Sequence, residues 1–424
     1  MLRNWLGGHL VFISACLAFL TVIAAPIAAQ AQQGQEELSQ RYGFPDLPEE
    51  WQGFVKYRND HFSFGTALGV LFDYSMFAQD EGSEAQMGRQ DSELEARSFR
   101  FVIGGTLDFL GPVVYLMSAE YKGFNRDPWD PLFYTPDLSL TWQFQDRPDR
   151  ITFGKQKEPF IYEMIGDAAN LPHHERLLEP FYRARNTGIR YTTNFLDQRS
   201  WFSLGWFNDW WHESGDFSEN GNQYVARLTG LPLWLDSGAR FLHLGVASRY
   251  TEGDNDVMRY QGMPGSHVTD FYVDSGDIAA DHAWHMGLEA LWQSKQFAIL
   301  GEYARAWVSS HASGDPVFSG WYVTTSYVFN GRQRPYDKAF AYARRVQPFT
   351  PWGAVEPVLR YGRVDLDDGQ VAGGEMEKWY LGLNWWATPR WKMSFGYGSI
   401  DLDRFGMTGR TEQMLLRLQW IGAI

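Results

Sequence analysis

The sequence predicts an all-β fold, a transmembrane antiparallel β-barrel of about sixteen strands, and three observations carry the prediction. The first is an alternation of large apolar with small or polar residues that recurs in short segments between residues 62 and 421. In the opening segment, Phe62, Phe64, Thr66, Leu68, Val70, Phe72, Tyr74 and Met76 alternate with Ser63, Gly65, Ala67, Gly69, Leu71, Asp73 and Ser75. A period of two is a strand with two unlike faces. The second is a rhythm of short turns alternating with long connections, as expected of a barrel with two different rims. The third is an export signal with no membrane-spanning helix behind it, which leaves strands as the means of crossing a membrane.

The N-terminus carries Arg3, an apolar stretch from Leu10 to Ala25 and the small-residue site Ala29-Gln30-Ala31, with cleavage expected after Ala31. The only cysteine, Cys16, lies within that signal, so the exported chain has no disulfide and no thiol chemistry. Ile13-Ser14-Ala15-Cys16 resembles a lipoprotein box, but most of the apolar region lies after the cysteine. No later apolar run reaches the roughly 18 residues a spanning helix needs. The domain reading is therefore 1–31 signal peptide, 32–61 short N-terminal periplasmic segment and 62–424 barrel, located in a bacterial outer membrane. Formal net charge is −14 for the full chain. An acidic chain gives no general reason to expect nucleic-acid binding. Aromatics make up 17% of residues, with 19 Trp. Because so many fall on one strand face, they read as girdles at the two membrane interfaces rather than as a soluble core.

Alternation places the strands at 62–76, 97–108, 112–124, 137–146, 149–156, 186–195, 199–209, 221–230, 239–251, 282–293, 295–309, 317–329, 353–365, 377–387, 390–402 and 411–421. Sixteen strands enclose a lumen wide enough for water. Short turns such as Phe109-Leu110-Gly111, Asp146-Arg147-Pro148 and Ala387-Thr388-Pro389 mark a periplasmic rim. Longer segments at 77–96, 157–185, 252–281 and 403–410 mark the opposite rim. Segment 330–352 breaks the rhythm, being long where a short turn is due. The last strand sets Met414, Leu416, Leu418 and Trp420 against Arg417 and Gln419.

Two groups of cations are candidates for lining the lumen. One is the connection after the fifth strand, with Lys155, Lys157, Arg176, Arg183 and Arg185 beside Glu158, Glu163, Asp167, Glu175 and Glu179. Folded inward, it would present cations to an anion; left outside, it would be a solvated mixture of charges. The other group shares the inward parity of the strands: Arg100, Lys122, Arg190, Arg227, Arg249, Arg360, Lys392 and Arg417. A cation on the lipid face costs roughly 2–4 kcal/mol near the midplane, which favours the inward direction. Guanidinium groups suit phosphate because they donate two parallel hydrogen bonds. Asp73, Glu120, Glu289, Glu302 and Glu356 share that parity, so the arginines could equally pair with carboxylates across the wall. His173-His174 has no companion cysteine and no helical spacing, so no metal or other cofactor is expected. No nucleophile motif or triad order is present, and His243 and His285 stand beside Gly or Ala, so no enzyme is expected.

Several stretches together resemble the phosphate-selective porin O and P family of Gram-negative outer membranes. Gly154-Lys155-Gln156-Lys157-Glu158-Pro159-Phe160 looks like the family's approach to its pore loop, and Glu175-Arg176 and Arg185-Asn186-Thr187-Gly188 resemble later landmarks of that region. Leu288-Glu289-Ala290, Gly301-Glu302-Tyr303 and Ser319-Gly320-Trp321-Tyr322 continue the likeness. Phe329-Asn330-Gly331-Arg332-Gln333-Arg334-Pro335-Tyr336-Asp337 is similar to the family's most specific stretch, and it makes 330–352 look like an insertion at the periplasmic rim. The resemblance implies a homotrimer of sixteen-stranded barrels with the loop near 157–185 folded inward as a constriction. It also implies passive passage of small anions, phosphate or polyphosphate among them, with the cations above as pore-lining residues. The alternative is a general or organic-solute porin, for sugars or organic acids, with Tyr322, Tyr380 and Trp386 on the lumen side. A barrel with a plugged lumen is a further possibility.

Overall fold

The computed structural model describes residues 54–108, 111–124, 132–144, 147–208, 220–253 and 256–424. The expected signal peptide and the first part of segment 32–61 lie outside the described residues. Sixteen strands form the wall: β1 Ser63–Gln79, β2 Glu93–Asp108, β3 Pro112–Tyr121, β4 Leu138–Gln143, β5 Arg150–Gln156, β6 Asn186–Phe195, β7 Ser200–Asn208 and β8 Asn220–Leu235, then β9 Arg240–Gly253, β10 His282–Ser294, β11 Phe297–Ser309, β12 Val317–Tyr327, β13 Ala354–Asp368, β14 Val371–Trp386, β15 Trp391–Arg404 and β16 Met407–Ala423. Each pairs antiparallel with its chain neighbours. β16 then pairs with β1 from Ala67↔Ala423 to Gln79↔Thr411, which closes the barrel and leaves no free edge. A short strand, Val55–Arg58, adds to the start of β1.

The alternation that located the strands also sorts their faces. In β1 the positions from Ser63 to Ser75 that face the lumen are buried, and Phe64, Leu68, Val70 and Tyr74 face outward. Aromatic contacts mark both ends of the outer face. Tyr224, Tyr250 and Trp284 are neighbours at one rim, as are Trp321, Tyr361 and Trp379. Trp292 with Phe297 and Trp391 with Trp420 lie at the other. Rings whose bodies are apolar and whose edges are polar settle at the membrane interface.

The structure corrects one connection. Segment 403–410 was expected as a longer loop, but it is a tight hairpin in which only Phe405 and Gly406 separate β15 from β16. Both have φ near +60° to +70°, as a two-residue turn that matches strand twist requires. The strand ends beyond the girdle keep Ile400 and Leu402 buried inside but carry Asp401, Asp403, Arg410 and Glu412 on the outward face, with Arg410 paired to Asp401 at 2.7 Å. They have left the apolar layer, so the alternation that identifies strands fades there while the hydrogen-bond ladder continues.

Three connections turn into the barrel instead of away from it. They are 157–185 and 256–281 from the long-loop rim and 330–352 from the short-turn rim. The last forms two small ladders, Gly331–Arg332 with Gln347–Pro348 and Tyr336–Asp337 with Tyr342–Ala343. Together with the inner faces of β8 to β15 they form an apolar cluster that includes Phe160, Met164, Phe181, Tyr260, Tyr272, Ala304, Phe318 and Met376. One side of the lumen is therefore packed like a soluble core. Along β2 and β4 the inward residues Ser98, Arg100, Val102, Ser139 and Thr141 stay partly accessible.

Outward Leu228 lies mid-strand, paired with Val246 and Phe202. We expect Leu228→Arg to destabilise the barrel by roughly 2–4 kcal/mol, measured by reversible urea unfolding in lipid vesicles.

Candidate functional site

The pore loop begins at a backbone that only glycine fits. Gly154 has φ of +107°, and a Cβ there would lie 2.2 Å from the Leu138 carbonyl oxygen. Beyond it, Gln156 is buried and the chain turns inward through Pro159 and Phe160 into the helical turn Tyr162–Ile165. A β-strand wall dictates what happens next. Segment 157–185 has no ladder of its own, so its backbone groups and charges need partners from the wall.

The wall supplies them. Glu302 of β11 accepts the backbone N–H of Tyr162 at 2.6 Å and of Glu163 at 3.0 Å. The buried Glu163 carboxylate accepts the N–H of Leu177 and Leu178 and meets Arg360 Nη2 at 3.0 Å. Arg417 bridges Asp73 and Glu175, each at 2.5 Å, and also donates to the His174 carbonyl oxygen at 2.7 Å. Lys392 donates to the Leu171 carbonyl, Asn384 to Pro172 and Gln419 to Ala169. From the opposite rim, Arg345 donates to the Asn170 side-chain oxygen, while Arg334 donates to the Asn170 carbonyl and pairs with Glu356 at 2.7 Å. The Ala343 N–H donates to the Tyr162 hydroxyl at 2.7 Å. The loop and the 330–352 segment thus meet near the middle of the lumen.

The eleven sequence candidates separate by their partners. Arg227, Arg249, Arg360 and Arg417 are buried and hold the interior together. Arg227 meets Glu289 at 2.6 Å, and Arg249 meets Gln223 and, at 3.3 Å, Glu158. Arg100 pairs across the wall with Glu120 at 2.6 Å. Lys157 meets Asp167 and Arg185 meets Asp137, each at 2.9 Å. Arg176 donates to the Glu163 and Gly166 carbonyls, and Arg190 to the Lys157 carbonyl at 3.0 Å. Arg183 lines a small cleft with Glu179, Arg249, Arg259 and Tyr260. Lys155 is the exception. Its strand parity is outward, since it pairs with outward-facing Leu138 while Thr152 and Gln156 take the inward parity of β5, and its ammonium sits 4.3 Å over the Tyr134 ring at the rim.

His173 and His174 diverge, the first to Arg360 and the second to Tyr380 at 2.7 Å. Tyr322, Tyr380 and Trp386 face inward but are fully packed, so they are not open platforms for a sugar. Sequence reading missed Arg150, Asn170, Arg334 and Arg345. For Arg150 the signal was available, since it lies two residues before inward-facing Thr152.

Comparison with known proteins agrees with this geometry. The family model described as phosphate-selective porin O and P matches residues 68–420. The chain belongs to that family. It is accordingly a porin-type barrel of the bacterial outer membrane, a channel rather than an enzyme. A protein of Caulobacter vibrioides is 26% identical over 174 residues, which is 39% of this chain and 35% of that protein's length. Solved porin-like barrels share the fold at low identity. The anion-selective porin of Comamonas acidovorans superposes with a TM-score of 0.53 at 13% identity, over 85% of this chain and 100% of that one. The outer membrane channel DcaP of Acinetobacter baumannii gives 0.53 at 11% identity, over 86% and 99%.

Burial and nearby cations set how the docked loop titrates. Burial, with Arg360 beside it, pulls His173 down to about 3, and burial with Arg417 holds His174 well below its ordinary value. Burial opposes ionisation of Glu163 and Glu175, but Arg360 and Arg97 respectively hold both below the usual carboxylate range. Burial opposes it at Asp167 too, and Lys157 holds that carboxyl low. Burial lifts Glu179 to about 7, and it lifts Glu158. As pH falls from 7 toward 5 the two histidines favour release of the loop, while Glu179, which holds its proton more tightly when docked, opposes them. Below about pH 4.5 a released loop binds more protons than a docked one, so docking weakens as pH falls. Hydrogen exchange, corrected for intrinsic rate, is expected to show residues 162–181 still protected at pH 5. That protection should be lost between pH 4.5 and 3 while the wall strands stay protected.

Proposed function

We propose that this porin is a passive, water-filled channel with a preference for small anions, phosphate or polyphosphate among them. One observation carries the reading: on the accessible side of the lumen, cations outnumber the carboxylates that neutralise them. Lys157, Arg185 and Arg100 each have a carboxylate partner. Arg150, Arg176 and Arg190 contact carbonyl or amide oxygens. Glu95 is the carboxylate on that side that makes no ion pair among the described residues. A surplus of fixed guanidinium charge in a narrow wet passage raises the local concentration of anions. The protein reaches the outer membrane by way of a signal peptide at 1–31 and assembles as a homotrimer. A trimer form of the barrel OmpT of Vibrio cholerae, similar in fold with a TM-score of 0.51, supports that assembly.

Reversal potentials of single channels under a salt gradient test the proposal. Anion selectivity is expected, with chloride current blocked by added phosphate. A unit charge about 10 Å from the passage axis is worth about 0.4 kcal/mol in water, close to a twofold change in ion partition. Arg176→Gln and Arg190→Gln are each expected to lower the anion-to-cation permeability ratio by roughly that factor. Cation selectivity in the unaltered channel would refute the reading.

A further inference from the structure

We infer that the periplasmic end of the passage holds a subsite for small organic carboxylates, built by Arg150, Arg190 and Phe340; it rests on the anion reading above. Arg150 opens β5 and pairs in register with Thr192, while Arg190 pairs with Thr152. The two arginines are therefore diagonal neighbours on the inner wall, about 7–8 Å apart at their bases. Each uses only one edge of its guanidinium on the protein. Arg150 Nη2 donates to the Ala339 carbonyl at 2.7 Å and to Asn194, and Arg190 Nη1 donates to the Lys157 carbonyl. Arg150 Nη1 and Arg190 Nη2 make no hydrogen bond to the protein among the described residues. A guanidinium carries five N–H donors in a fixed fork, so each arginine retains donors for a carboxylate.

The surroundings point to an organic ligand. The wall beside the pair is a strip of hydroxyls, with Thr141 against Thr152 at 3.0 Å and Thr192 against Ser203 at 3.1 Å. Phe340, at the tip of the inward hairpin, is 43% exposed. The Arg150 guanidinium lies 5.5 Å and that of Arg344 5.8 Å from its ring centre. Inorganic phosphate has no use for an exposed ring. An anion with a flat apolar body can set its carboxylate on the arginines and its body on Phe340, with both contacts satisfied together.

Block of chloride current by benzoate and by phosphate, each added from the periplasmic side of the intact channel in a planar bilayer, tests the inference. Benzoate is expected to half-block at lower concentration than phosphate. Phe340→Ala is expected to weaken benzoate block about fivefold and to leave phosphate block unchanged. Arg190→Gln, which does not touch the hairpin, is expected to weaken both. Phe340→Leu keeps apolar bulk on the hairpin and removes the ring face, and it is expected to weaken benzoate block as well. Unchanged benzoate block in both Phe340 variants, or equal loss of benzoate and phosphate block, overturns the subsite. The reversal potential separates the two claims: an anion-selective channel with that result loses only the subsite, whereas a cation-selective channel loses both.

Discussion

The ion pairs that hold the pore loop to the wall are the constraint on which the rest of the interior depends. Glu163 and Glu175 are buried inside the barrel, and a buried carboxylate without a partner is strongly unfavourable. Arg360 meets the first, Arg97 and Arg417 meet the second, and Arg417 also meets Asp73 on the strand that closes the barrel. These arginines cannot shift without stranding a charge, so the loop is fixed in one position. Once it is fixed, its apolar side, Phe160, Met164 and Phe181, has a defined surface to pack against, and the inner faces of β8 to β15 supply it.

That packing gives the lumen two unlike halves. One half is an apolar core in which buried arginines serve the structure. The other lies along β2 and β4, where inward residues keep access to water, and beside it Arg150, Arg176 and Arg190 meet only carbonyl and amide oxygens. The same chemical group therefore does two jobs, distinguished by its partner. Arg227 against Glu289 is neutralised, whereas Arg190 against a backbone carbonyl keeps its charge. Counting arginines in a porin lumen says little until each has been assigned its acceptor.

Much of the wall was legible in the sequence because lipid and water impose opposite demands on alternate residues. All sixteen strands follow from that demand, and it fails where it should, at the polar hairpin ends around Asp401 and Glu412. The inward parity of Arg100, Arg227, Arg249, Arg360 and Arg417 was equally legible. Their partners were not, because Glu163 and Arg360 are separated by almost two hundred residues and meet only once the loop has docked. Lys155 was misplaced for a simpler reason. A charge inside the pore-loop motif looks functional, yet strand parity directs it outward beside Leu138. The role of 330–352 was hidden for the same reason as the loop's. Its ladders are two residues long, and its position comes from Arg334 and Arg345 reaching Asn170.

The most direct test of a one-sided passage is modification of single engineered cysteines by a negatively charged methanethiosulfonate during current recording. Ser98→Cys and Ser139→Cys lie on the accessible wall, and Ala247→Cys and Ala304→Cys lie under the docked loops. Rapid loss of current at the first two positions, with none at the second two, is the predicted result. Rapid modification at Ala304→Cys, or protection of Ser139→Cys, would contradict it and would mean that the loops do not hold the position described.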